Sequence, residues 1–234
     1  MIAIISDIHG NYPALSAVLK EIDLLGCKQI ISLGDIAGYY CMVNECIEAL
    51  KNRNIIHLMG NHDYYLVNNI TSGRSKTADR CILYQKKILT SENYSWLSDS
   101  KNLHEINDVC FVHGGWNDYL EEYLYSVSEE YFRKLRWNYF FSGHSHVQFK
   151  VQLGNKLYCN PGSIGQPRDG DPRAAYALLR EDKSIELRRV EYAIKDVAYE
   201  MERSGFESYF YSNLYTGEKI GGGISSIKVN GGEL

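Results

Sequence analysis

The sequence predicts an α/β fold with two packed sheets, and three observations carry that reading. Strand, loop and helix patterns alternate through the N-terminal part, short strands joined by turns dominate the middle, and histidines, carboxylates and amides gather where strands end. The 234 residues suffice for one substantial core and read as a single domain over residues 1–234, with 205–234 as a peripheral C-terminal extension. A formal charge of -4 argues against a broad nucleic-acid surface, which needs cations to neutralise phosphates. No apolar run approaches the ~20 residues that cross a bilayer. The N-terminus also lacks the basic flank and long apolar stretch of a secretory signal, so a cytoplasmic protein without a membrane partner is expected. Six cysteines without a CxxC pair fit reduced, packed thiols rather than a disulfide framework or a zinc ribbon. The 19 tyrosines, clustered around Tyr119–Tyr131 and Tyr209–Tyr215, read mainly as half-buried packing, with base stacking as the sharper alternative.

The elements follow in order. Ile2 to Ile5 reads as a buried strand, followed by a helix that Asn11 caps and Pro13 enters. Leu15, Val18, Leu19, Ile22 and Leu25 recur at helical spacing, and Gly26 stops the helix. The pattern repeats with a strand at Gln29 to Ser32, the turn Leu33-Gly34-Asp35 and a helix over Asn44 to Asn52. It repeats again with a strand at Asn54 to Met59 and the turn Gly60-Asn61-His62-Asp63. Such units give parallel strands with crossover helices, whose functional crevice lies at the strands' carboxyl ends. Helices over Ala78 to Leu89 and Glu92 to Leu97 precede paired strands at Leu103 to Ile106 and Val109 to Val112. Further strands are expected at Tyr139 to Phe141, Phe149 to Leu153, Lys156 to Cys159, Ala174 to Leu179 and Ile185 to Val190, with Gly154-Asn155 and Glu181-Asp182 as turns. Ala193 to Arg203 reads as the last helix. Beyond Ser204, glycines leave little that packs, so a surface strand or loose tail is expected.

Five of the seven histidines stand in polar or glycine-flanked runs at strand ends: Asp7-Ile8-His9, Asn61-His62-Asp63, His113-Gly114 and Gly143-His144-Ser145-His146. In an extended segment, Asp-x-His and His-x-His direct both donors to one side, because successive side chains alternate. Carboxylate, imidazole and amide donors without thiolate suit Mn²⁺, Fe²⁺, Co²⁺, Ni²⁺ or Zn²⁺. Asp7, His9, Asp35, Asn61, His113, His144 and His146 make seven donors, more than one ion accepts while keeping an open position. Two ions about 3.5 to 4 Å apart use them all, with Asp35 as the natural bridge.

These motifs, D-x-H, G-D, G-N-H-D, H and G-H-x-H in this order, resemble the calcineurin-like metallophosphoesterase superfamily. The runs Asn160-Pro161-Gly162-Ser163 and Gln166-Pro167-Arg168-Asp169 resemble its small bacterial and archaeal phosphodiesterase branch. The resemblance implies a four-layer α/β sandwich with two central mixed β-sheets flanked by helices, and two divalent ions, with Mn²⁺ first among the candidates. Carried over, Asp7, His9, Asp35 and His146 would hold the first ion, and Asp35, Asn61, His113 and His144 the second. A metal-bridging hydroxide would then attack phosphorus in line. His62 would protonate the leaving oxygen, with Asp63 holding its imidazole, or would instead orient the ligands of the second ion.

Arg168 is a candidate phosphate contact or a turn arginine paired with Asp169 or Asp171. Asn11 is a candidate substrate contact or only a helix cap, and Tyr39, Tyr40 and Trp116 would wall the pocket or pack on the sheet edge. The implied function is hydrolysis of a small phosphoester, a phosphodiester or a nucleotide or dinucleoside polyphosphate. The alternatives are a phosphomonoesterase or a protein serine/threonine phosphatase, whose second motif carries an arginine absent after Gly34-Asp35, and a non-catalytic scaffold of the same fold.

Overall fold

The computed structural model describes residues 1–53, 55–73 and 75–230. Asn54, placed by the sequence in the third strand, and Gly231 and Gly232 of the tail lie outside the described residues. In chain order, β1 (Ile2–Ile5), α1 (Tyr12–Leu24), β2 (Gln29–Ser32), α2 (Val43–Lys51), β3 (Ile56–His57) and α3 (Asn61–Val67) form the N-terminal repeats. Next come α4 (Lys76–Ile88), α5 (Ser91–Ser98), β4 (Leu103–Ile106), β5 (Val109–Val112), β6 (Ser126–Ser128), α6 (Glu129–Arg133) and β7 (Tyr139–Phe141). The chain continues through β8 (Gln148–Leu153), β9 (Lys156–Pro161), β10 (Ala174–Leu179), β11 (Ile185–Val190), α7 (Ile194–Arg203) and β12 (Lys228–Asn230).

Two five-stranded mixed sheets result, ordered β11-β10-β1-β2-β3 and β4-β5-β7-β9-β8. In the first, β1, β2 and β3 run parallel and β10 joins β1 antiparallel, with Ile4 opposite Ala177. In the second, β5, β7 and β9 run parallel while β4 and β8 pair antiparallel at the edges. The facing surfaces interlock through Ile4, Ile31, Phe111, Phe141, Cys159 and Ala177, all fully buried. The other face of the first sheet buries Ala3, Ile5 and Tyr176 against Leu15, Val18 and Ile22 of α1 and Val43 and Ile47 of α2. Asn11 caps α1 by accepting from the Ala14 N–H at 3.1 Å, as the sequence predicts. The outer face of the second sheet buries Phe140 and Tyr158 beneath Phe132 of α6. This is the α/β arrangement of two mixed sheets flanked by helices that the motifs imply. All six cysteines are free.

Three local readings change. The third strand is only Ile56–His57, beyond which the Met59 N–H donates to the Lys101 carbonyl and Leu58 forms a single bridge with Lys101, and β6 and α6 arise in a stretch read only as tyrosine-rich. The C-terminal segment contains the expected surface strand, β12, but the stretch before it is packed rather than loose. Phe206, Phe210, Tyr211 and Leu214 are buried against Tyr40, Cys41 and Met42, and β12 pairs in parallel with β6. No glycine falls between Gly205 and Gly217, so the aromatic residues of that stretch pack.

Candidate metal centre

The carboxyl ends of β1, β2, β3, β5, β7 and β9 converge on one edge of the sandwich, and the loops leaving the first five carry Asp7, His9, Asp35, Asn61, His113, His144 and His146. All seven are buried. They form two clusters that share one residue: Asp7, His9, Asp35 and His146, and Asp35, His113 and His144, each with potential ligand atoms within 4.8 Å of one another. Asn61 joins the second cluster, its Oδ1 lying 3.1 Å from His113 Nε2.

The backbone achieves this by a route the sequence reading missed. Asp7 and His9, and likewise His144 and His146, do not alternate along extended chain. All four, and Asp35, have left-handed backbones with φ between 53° and 63°. That conformation costs an L residue roughly 1–2 kcal/mol, and such outliers concentrate at functional sites. Gly60 completes the geometry, since a Cβ there would collide with Asp35 Oδ1 and the Asp35 backbone nitrogen.

Hydrogen bonds fix which imidazole nitrogen faces the centre. His9 Nδ1 donates to the Ala37 carbonyl at 2.8 Å, His113 Nδ1 to Leu33 at 3.0 Å and His146 Nδ1 to Gln166 at 2.7 Å. Each Nε2 is thereby left as a lone-pair donor. Two of these meet across 3.0 Å, His9 Nε2 and His146 Nε2, a contact between lone pairs that a cation held by both would relieve. Burial, then His146 and His62, holds His9 well below the usual imidazole range, and burial also lowers His113, His144 and His146. The carboxylates diverge. Burial acts to raise Asp7, yet His146, His113 and His9 bring it well below the usual range. Burial, with Asp63 and Asp7 nearby, drives Asp35 well above it.

Asp35 Oδ2 is the atom that shows what the site lacks in protein partners. It is buried without a hydrogen bond, 3.7 Å from His9 Nε2 and 3.5 Å from His113 Nε2, between the two clusters. Burying a carboxylate charge unpaired costs several kcal/mol, whereas neutral imidazoles, an amide oxygen and carboxylates form an N/O donor set for a divalent metal.

A family model, the calcineurin-like phosphoesterase superfamily domain, matches residues 1–184. The chain belongs to this superfamily. An uncharacterized protein of Methanocaldococcus jannaschii is 36% identical over 93% of this chain and 98% of its own length. Phosphodiesterase YfcE of Escherichia coli K12 is 26% identical over 76% of this chain and 85% of its own. The crystal structure of a metallophosphoesterase from Sphaerobacter thermophilus superposes with a TM-score of 0.82 at 31% identity, covering 92% of this chain and 99% of that one. The protein is thus a metal-dependent phosphoesterase of the small bacterial and archaeal branch.

Around this phosphoesterase centre the remaining candidates sort differently from expectation. His62 stands in the site, its ring 4.9 Å from that of His9 and its Nδ1 buried without a partner. Asp63 does not hold that ring. Its carboxylate accepts from the Ala37 and Gly60 N–H groups at 2.8 and 3.1 Å, so it braces the turn that enters α3. Asn11 is also committed elsewhere, since Oδ1 serves the cap and Nδ2 donates to the Gly165 carbonyl at 2.9 Å. Tyr40 is fully buried, with its hydroxyl accepting from Gln166 Nε2, and Trp116 packs edge-on against Phe132 and Phe140, so neither walls the pocket.

Tyr39 does, its ring 4.7 Å from His9 and 5.0 Å from His62. Arg168 pairs with neither Asp169 nor Asp171, which bind Arg189 and Arg173. It is buried over the Tyr39 ring at 5.3 Å and donates through Nε and Nη2 to Gln166 Oε1 at 3.0 and 2.6 Å. Sequence reasoning missed Tyr123, whose ring stacks on His144 at 3.7 Å and lies parallel to Tyr125. The tyrosine cluster was the available signal, but no spacing rule distinguished these two from their neighbours.

Proposed function

We propose that the protein is a two-metal hydrolase of small phosphoesters, acting on phosphodiesters or nucleotide polyphosphates, with Mn²⁺ as its ion. The observation that supports this best is the position of Asp35 Oδ2, unpartnered between two donor clusters. Asp7, His9, Asp35 and His146 would hold one ion, and Asp35, Asn61, His113 and His144 the other. Bound there, the ions supply positive charge that polarises a phosphoryl oxygen and acidifies water. The chain contributes lone pairs already locked toward the centre and a carboxylate that needs a cation.

His62 is the proton donor to the leaving oxygen in this reading. Without ligands, burial, then His146 and Arg168, lowers its imidazole to about 3, so it is neutral near pH 7. Negative charge on a bound phosphoester would favour its protonated form. Arg168 keeps donors beyond the two that Gln166 accepts and offers them to a phosphoryl oxygen. YfcE, named a phosphodiesterase, supports the diester preference.

The test is a panel in which the Mn²⁺-loaded chain meets bis(p-nitrophenyl) phosphate, p-nitrophenyl phosphate, a nucleotide polyphosphate and a phosphopeptide. Turnover abolished by chelation and higher kcat/KM for diester or nucleotide than for phosphopeptide is expected. A phosphopeptide preferred tenfold or more would overturn the substrate class.

A further inference from the structure

Residues 206–230 lie beyond the family-matched region and fasten three loops near the metal centre, those carrying Tyr39, Arg168 and Tyr125. Phe206, Phe210, Tyr211 and Leu214 pack against Tyr40, Cys41 and Met42, seating the loop that carries Tyr39. The Gly217 carbonyl accepts from the Gly170 N–H at 3.0 Å, and the Ser225 N–H donates to the Arg168 carbonyl at 2.6 Å, bracketing the Arg168 loop. The Lys228 N–H then donates to the Tyr125 carbonyl at 2.9 Å, and β12 continues alongside β6. Between these fastenings stands Lys219, exposed, without an ion pair among the described residues, its Nζ 5.9 Å from the Tyr125 ring.

We infer that residues 206–230 form a strap that builds the substrate-selecting rim of the metal centre, and that Arg168 and Lys219 on this rim take the second phosphate of a phosphoester that carries one. Arg168 is a buried cation with no carboxylate within ion-pair distance among the described residues. It lies over the Tyr39 ring at 5.3 Å, and a phenol there can also donate its O–H to an anion. Tyr123 is already stacked on His144 and parallel to Tyr125, so its ring is committed within the protein. The free chemistry of the rim is therefore cationic and hydroxylic, which matches phosphate oxygens better than a bare base. Lys219, exposed and 5.9 Å from the Tyr125 ring, adds a second positive charge to this rim, available to an outer phosphate. This inference deepens the phosphoesterase reading and rests on it.

The experiment compares AMP and ADP, which differ by one phosphate, as inhibitors of bis(p-nitrophenyl) phosphate hydrolysis by the Mn²⁺-loaded full chain. The wild type is expected to bind ADP about tenfold more tightly than AMP, as a charge-assisted contact would give. Lys219→Ala should reduce that ratio to about threefold or less, and added salt should erode the Lys219 contribution first. Lys228→Pro, which removes the bond to Tyr125, should lower the same ratio, whereas a strap that only stabilised the fold would weaken AMP and ADP equally. Lys20→Ala, on the exposed side of α1, serves as the control and should leave the ratio unchanged. ADP bound no more tightly than AMP, or a ratio indifferent to Lys219→Ala, would overturn the inference while metal-dependent hydrolysis stands. Absence of that hydrolysis with both nitrophenyl probes would instead overturn the phosphoesterase reading, and the inference with it.

Discussion

At the scale of the residue, Asp35 is the donor shared by both clusters. Its Oδ1 accepts from the His62 N–H at 2.8 Å, while Oδ2 faces both donor clusters unpartnered. Asp35→Asn should therefore lose occupancy of both ions and most turnover, whereas Asp7→Asn, a member of one cluster, should chiefly weaken one. Metal analysis of the two variants checks this, and equal losses would remove the bridging role. His62 makes a separable prediction. His62→Ala should lower kcat by roughly 10² to 10⁴ for ordinary leaving groups, with metal content kept, and the deficit should shrink for a leaving group of low pKa. A loss that ignores leaving-group pKa would count against the acid assignment. Most donors were legible in the sequence because each motif is local and its residues are contiguous. The partner of Asp63 was not, because its acceptor role is set by Ala37 in another loop, brought near only by the pairing of β2 with β3.

At the scale of the element, the turns carry the function and the glycines carry the turns. Gly60→Ala should displace Asp35, since the added methyl would meet its carboxylate and its backbone nitrogen. Metal binding should fall more than thermal stability, and intact binding would show that the turn is looser than the structure indicates. The short strand β3, which leads into this turn, is held by His57, stacked on Trp96 at 3.8 Å and bonded to Ser100 Oγ at 2.8 Å. Burial lowers the His57 imidazole to about 4 from its ordinary 6.5. The unfolded chain thus binds the extra proton between those values, and this contribution to stability is lost as pH falls from about 6.5 toward 4. His57→Gln should flatten that part of a stability-against-pH curve, read by urea unfolding. Element types were largely readable from periodicity, as in α1, where Leu15, Val18, Leu19 and Ile22 are all buried. Tyr123 over His144 was not, because the loop between β5 and β6 is positioned by β12, a partner about a hundred residues away in sequence.

At the scale of the whole molecule, two sheets bring six strand ends to one edge, and the cluster there is unsatisfied without cations. Ions that bind only the folded chain stabilise it by about 2.7 kcal/mol at a hundred times their dissociation constant. Mn²⁺ should accordingly raise the thermal midpoint of the wild type, and Asp35→Asn should lose most of that rise in a differential scanning experiment. The central claim is that one shared carboxylate joins two metal sites. Native mass spectrometry of the fully loaded wild-type chain tests it most directly. Two divalent ions per chain, reduced together by Asp35→Asn, is the result this account predicts, and saturation at a single ion would contradict it.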